Sequence, residues 1–297
     1  MTIDYIVDAH HHLWDLDACR HTWLSEKGVK RFFGDPTPIQ KNYHAKNFKA
    51  EFGSLPVRKS VHIQCGVATE ESIKETFWAD AEAEAATLPN AIVAFAELTS
   101  LALEDELNAH EASTRLRGIR QIVGRSAEED RKTGTSALLQ DERFNDGLRT
   151  LAGRKLSFDL QLTPPLMEEA ADVFGKVEEL PIALCHCGSP SDFSDKGIAE
   201  WAKGLERLAE LPNLICKISG FGMFDHDWTV DSIRPHVLRV IDIFGPERVA
   251  FGSNFPVDKL HATYESVMGA YLEITSGFSA DERFSMFAGT AEKFYRI

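Results

Sequence analysis

Eight short apolar runs recur along the chain, and charged stretches rich in Ala and Glu separate most of them. The runs are Tyr5 to His12, Ser60 to Cys65, Ala91 to Leu98, Arg117 to Val123, Ser157 to Leu162, Pro181 to Gly188, Leu214 to Phe221 and Val249 to Pro256. Between them, segments such as Glu70 to Thr87, Glu104 to Arg115, Leu166 to Glu179, Ile198 to Leu211 and Val230 to Phe244 read as amphipathic helices. Strands alternating with helices imply a parallel sheet, because each parallel neighbour needs a crossover connection. Eight such units close most simply into a barrel. The expected fold is therefore α/β, a (β/α)8 TIM barrel.

The 297 residues suit one such barrel with insertions, and no linker-like or low-complexity stretch divides them. A single domain over 1–297 is expected. Its main departure is the first connection, Leu13 to Lys59, which carries Trp14, Trp23, Phe32, Phe33, Tyr43 and Phe48. A loop of that size at the C-terminal mouth of a barrel would cap a pocket, with some of its aromatics fastening it down.

Composition excludes several partners. The net charge of −14 argues against nucleic acid and anionic membrane surfaces, which are bound through an excess of Lys and Arg. No run approaches the roughly 18 apolar residues of a membrane span. The N-terminus has no basic segment ahead of an apolar one, so no secretory signal is expected. Five cysteines in a chain of this size suit a reducing, cytoplasmic setting. Cys185 and Cys187 flank His186, but strand alternation would turn both sulfurs away from that imidazole, so no cysteine-ligated metal is expected there.

Chemistry is concentrated at the strand ends. If Ile6 to His12 is a strand, Asp8, His10 and His12 share one face while Val7 and His11 share the other. Two imidazoles one pleat apart can hold a metal ion, or set a base and an electrophile on one substrate. Further polar residues stand late in other runs: His62 and Gln64, Arg120, Asp159 and Gln161, His186, Lys217 and Ser219, and Asn254. Buried polar groups need partners, and barrel catalytic groups come from the ends of several strands. Trp14, His62, Gln64, Arg120, Asp159, Gln161, Lys217 and Ser219 are thus expected on the substrate side of the site. Arg120 can grip a carboxylate in a fork and Lys217 offers a compact charge, although Asp159 could instead balance either cation structurally.

The chain resembles the amidohydrolase superfamily, in its amidohydrolase-related, lactonase-like branch. The likeness rests on Val-Asp-Ala-His-His-His-Leu-Trp at 7–14, Leu-Arg-Gly-Ile-Arg at 116–120, Cys-His-Cys-Gly-Ser-Pro at 185–190, Phe-Gly-Ser-Asn-Phe-Pro-Val-Asp at 251–258 and Phe-Ala-Gly-Thr-Ala-Glu-Lys-Phe-Tyr at 287–295. The resemblance implies a metal-binding pair at His10 and His12, a further ligand at His186, and a strand-eight acid that binds metal and takes a proton from water.

Residue 254 departs from that pattern. It is Asn, and an amide has no useful proton affinity near neutral pH. Three accounts stay open. A divalent ion such as zinc on His10, His12 and His186 could acidify its own water. With no metal, a neutral imidazole among those three could deprotonate water while Arg120 or Lys217 stabilises the oxyanion. Or Asp258 could replace the missing acid, if the chain doubles back after Pro256. Asp8, one pleat deeper than His10, suits a carboxylate that orients a histidine.

The expected function is a hydrolase that opens a lactone of a sugar acid or carboxylated ring, with His10, His12, His186, Asn254 and Asp258 as the reacting groups. Its partner is a small-molecule lactone or carboxylate, and a homo-oligomer is compatible with the sequence. Two other readings are a metal-dependent decarboxylase and a barrel that has lost catalysis and only binds small molecules.

Overall fold

The computed structural model describes residues 3–125 and 127–297. Eight parallel strands form one sheet in chain order: β1 (Ile6–His11), β2 (Val57–Ile63), β3 (Ala91–Ala94), β4 (Leu116–Ile119), β5 (Ser157–Leu160), β6 (Ile182–Leu184), β7 (Leu214–Ile218) and β8 (Val249–Phe251). The ring closes just beyond β8, where the Asn254 amide donates to the His10 carbonyl and the His12 amide donates to the Phe255 carbonyl, each over 2.7 Å. The expected (β/α)8 barrel is what the chain adopts. Its closing seam carries three of the residues marked as reactive.

Inside the barrel, small and branched side chains alternate along the strands: Val7 and Ala9, Val61 and Ile63, Ala91 and Val93, Ala183, Ile215 and Ala250. Tyr295 and Ala291 from the C-terminal helix Thr290–Tyr295 join this cluster. The other face of each strand packs against the surrounding helices. The expected helices are present, as Ser72–Ala86, Leu103–His110, Met167–Phe174, Asp195–Ala209 and Val230–Phe244. Glu142–Gly153 and Tyr264–Ile274 extend the ring, and both start at a side-chain cap, Asp141 accepting from the Arg143 amide and Thr263 from the Ser266 amide. Among the described residues no helix is long and apolar enough to cross a membrane.

Several strands are shorter than their apolar runs, and β6 shows why. It ends at Leu184 because His186, Cys187 and Ser189 take left-handed backbone angles, with φ of 52°, 51° and 58°. The strand expected over Pro181 to Gly188 therefore breaks into a tight turn, and the alternation argument for Cys185 and Cys187 does not apply to it.

The long first connection folds back on the barrel mouth. Trp14 pairs with Tyr43 and donates its indole N–H to the Lys41 carbonyl at 2.8 Å. Phe48, on the short helix Ala45–Ala50, stacks on the His11 ring at 4.0 Å and meets Tyr264 edge-on. These three aromatics fasten the loop to the scaffold.

Candidate active site

A register shift between Asp8 and His11 decides what β1 presents. Asp8 lies opposite Ser60 and His11 opposite His62, so two residues of β1, Ala9 and His10, face only Val61. This bulge breaks the strict alternation expected from the sequence. Val7 and Ala9 are in the barrel interior, which puts Asp8 on the helix-facing side, where its carboxylate accepts from Tyr264 Oη at 3.1 Å and from the Ser253 and His10 amides. The expectation that Asp8 shares a face with His10, and Val7 with His11, is thereby corrected. Asp8 instead fastens β1 to β8 and to the helix Tyr264–Ile274. Burial raises its pKa to about 6 against the pull of those hydrogen bonds.

Beyond the bulge His10 and His12 turn inward and His11 outward. The His10 ring lies 5.1 Å from that of His12 and 4.4 Å from that of His186. His11 shares a hydrogen bond with Ser60 Oγ behind the strand. His186 reaches the site only because of its left-handed turn. Its Nδ1 meets Ser219 Oγ at 2.9 Å, and a Cβ at Gly220 would stand 2.7 Å from that nitrogen, so glycine is needed there for space as well as for its φ of 74°.

The His12 tautomer follows from its partner. Nδ1 lies 2.7 Å from the Ile63 carbonyl, which can only accept, so Nδ1 carries the proton and neutral His12 keeps its lone pair on Nε2, beside the Asn254 side chain. Burial, reinforced by the positive charge of Arg120, holds its pKa well below the usual imidazole range. His10 and His186 are held down likewise, first by burial and then by Lys217 and Arg120 respectively. All three are neutral at pH 7.

Asn254 is buried at the closing seam with φ of 56°, a left-handed position that Asn tolerates. The chain does double back after Pro256, and the Asp258 amide donates to the Asn254 carbonyl at 3.2 Å. Asp258 ends behind Asn254 with its carboxyl fully buried, and burial pushes its pKa up to about 8. The protonated form is therefore favoured at neutral pH, and Asp258 does not line the pocket.

The pocket at the mouth has a volume of about 890 Å³, and His12, His186, Asn254, Arg120 and Gln161 line its inner end. Arg120 Nη1 donates to Gln161 Oε1 at 2.9 Å, which fixes the guanidinium. Trp23, Phe32 and Phe33 from the long loop form part of the outer wall. Arg20, Arg31, Arg125 and Lys132 join Arg120 on the lining with Glu26 and Glu129; Arg31 pairs with Glu26 at 2.8 Å and Arg20 with Glu70, in a chain that is acidic overall. Sequence reasoning did not select these four cations, because the three arginines come from loops with no periodic pattern and Lys132 from the short helix Ala127–Thr133; a count of basic residues near strand ends would have reached only Arg125.

Other expected substrate contacts lie elsewhere. Trp14 is under the loop. Since Val61 and Ile63 fill the interior, His62 points the opposite way, toward the helix Ser72–Ala86. Gln64 spends its amide on the Gly66 N–H and the Arg120 carbonyl. Lys217 and Asp159 are paired inside the barrel with no exposure, and Tyr295 Oη donates to Asp159 at 2.9 Å. Ser219 supports His186 and does not line the pocket.

Both ring nitrogens of His10 are buried without a partner, as they would be if a ligand to this site were missing. The donor types suit zinc, but the ring nitrogens of His10, His12 and His186 do not all come within 4.8 Å of one another. Zinc bonds of about 2.0–2.1 Å require tetrahedral ligands roughly 3.3 Å apart. The cation of Arg120 also opposes a dication here. As placed, the three imidazoles do not fit a closed metal site, in contrast to the ligand set the resemblance implied.

Comparison with known proteins shows what the chain is similar to. Residues 7–297 match the family model described as Amidohydrolase. The chain is 36% identical to the uncharacterized protein y4mH of Sinorhizobium fredii, with 98% of each covered. It is 27% identical to an L-fucono-1,5-lactonase of Burkholderia multivorans, with 98% of this chain and 96% of that protein covered. Among solved structures, an amidohydrolase from Burkholderia multivorans with bound zinc has the same fold, with a TM-score of 0.84 at 23% identity over 99% of each chain.

Proposed function

The chain belongs to the amidohydrolase family, and on that premise we propose that it hydrolyses a lactone bearing a carboxylate, with His12 as the general base. The observation that carries this reading is the His12 tautomer: the Ile63 carbonyl fixes the proton on Nδ1 and leaves Nε2 as a lone pair on a pocket-lining residue. The similarity to proteins named L-fucono-1,5-lactonase supports ring opening as the reaction. The cationic lining supports an anionic substrate, and a planar guanidinium grips a carboxylate better than an ammonium does.

In this mechanism a water between His12 and the substrate attacks the lactone carbonyl carbon. The new C–O bond forms as Nε2 takes the water's proton, and the carbonyl electron pair moves to oxygen. Arg120, held by Gln161, stabilises that oxyanion, and the Asn254 amide orients the water or the ring oxygen. The tetrahedral intermediate collapses with cleavage of the ring C–O bond, and the proton on Nε2 passes to the leaving alkoxide. A hydroxy acid is released and His12 returns to its neutral form. Lactones are activated esters, so one base and one fixed cation are adequate help.

A panel of aldonolactones, dicarboxylate lactones and uncharged lactones, followed by proton release, tests the proposal. Carboxylated members should turn over fastest, and His12→Ala should lower kcat by roughly 100-fold or more. Inactivity of folded protein across the panel, or full activity of His12→Ala, overturns it. Carbon dioxide release from a carboxylated substrate would mark a decarboxylase instead.

A further inference from the structure

We propose that His62, Cys65 and Glu75 form a zinc-binding site behind the pocket wall, separate from the three inward histidines. Among the described residues they are the one group of three His, Cys, Asp or Glu side chains whose donor atoms all lie within 4.8 Å of one another. All three residues are buried. They come from different parts of the chain: His62 from β2, Cys65 from the loop that follows, and Glu75 from the first turn of the helix Ser72–Ala86.

Nitrogen, sulfur and oxygen donors together suit a borderline-soft dication with no geometric preference of its own. A thiolate and a carboxylate also cancel its two charges, so the loaded site is neutral in apolar surroundings. The ring of His62 is only lightly held. Its Nδ1 accepts from the Leu13 amide over 3.2 Å and its Nε2 is buried with no hydrogen-bond partner, so an ion would replace one long hydrogen bond or meet a nitrogen that has none. Cys65 now donates its S–H to the Leu13 carbonyl at 3.0 Å and its amide to Glu75 Oε1 at 2.8 Å. Loading releases the thiol proton, and any proton on the Glu75 carboxyl, to solvent and leaves the amide bond in place. Cys65 also lines the pocket, which gives the ion a path of entry.

The site joins β2 to its helix beneath Trp23, whose indole N–H donates to the Cys65 carbonyl at 2.6 Å. A bound ion therefore stiffens the part of the wall on which Trp23 rests.

Cobalt(II) tests this without reference to catalysis. Full-length protein is stripped with a chelator and titrated with cobalt(II), and the near-ultraviolet thiolate-to-cobalt charge-transfer band is followed. The band should saturate at one ion per chain, vanish in Cys65→Ala and persist in His12→Ala, with circular dichroism confirming that each variant is folded. His62→Gln should weaken binding while leaving the fold intact. No band in the wild-type protein, or a band that survives Cys65→Ala, overturns the proposal.

Discussion

Gly252 lies directly beneath His10. A Cβ on residue 252 would come within 2.6 Å of the His10 Cβ and 2.8 Å of its backbone nitrogen. The seam between β8 and β1 closes at this distance because one of the two residues has no side chain, and the same contact holds the His10 backbone where the bulge put it.

Gly252→Ala is therefore expected to push β1 outward. The neighbour is backbone, which yields poorly, so overpacking should cost about 1–3 kcal/mol. Urea unfolding should show that loss, and lactone turnover should fall with it because His10 and His12 move together.

The Lys217–Asp159 pair has no exposure, and Tyr295 adds a hydrogen bond to the carboxylate. Lys217→Met would leave a buried carboxylate without its cation, at a cost of about 3–5 kcal/mol. Lys217→Met combined with Asp159→Leu should recover most of that loss. Denaturant midpoints for the three proteins check both statements. A fully stable single variant would show that the pair does not hold the barrel interior together.

Asp258 makes stability depend on pH. Its folded pKa of about 8 lies above the ordinary carboxyl value of 3.8, so between those limits the folded state binds a proton that the unfolded state has released. The contribution is full below about pH 4 and is lost as pH rises through about 8. Asp258→Asn keeps the shape and removes the proton. Urea midpoints between pH 5 and 9 should decline less for that variant than for the native chain.

Asn254→Asp tests whether the site is adapted to an amide. A carboxylate there would sit buried beside His12 and repel an anionic substrate. Turnover of a carboxylated lactone should drop, with the loss appearing in KM as well as kcat. A gain in turnover would mean that the native barrel had lost catalysis and that the acid restored it.

The barrel was legible in the sequence because strand and helix periods differ, and eight alternations of the two leave little choice of architecture. His10 and His12 could be read as inward and His11 as outward on the same grounds. Asp8 and Val7 could not, since a bulge at Ala9 and His10 changes the phase of the strand and no periodicity reports a bulge. His62 was misplaced for the related reason that the interior positions of β2 are 61 and 63. His186 arrived at the site by a route alternation does not contain, four consecutive left-handed residues, 186–189, in a turn.

By itself, then, the sequence determined the fold and which histidines of the first strand turn inward together. Only the tertiary structure decided that Ile63 sets the proton on His12, that Asp258 folds behind Asn254 with its carboxyl buried, that Lys217 and Asp159 satisfy each other, and that loop arginines line the mouth. Local pattern is set by neighbours along the chain. Partner, burial and charge depend on residues far apart in the chain, 256 positions in the case of Asp8 and Tyr264, and exist only once the ring has closed.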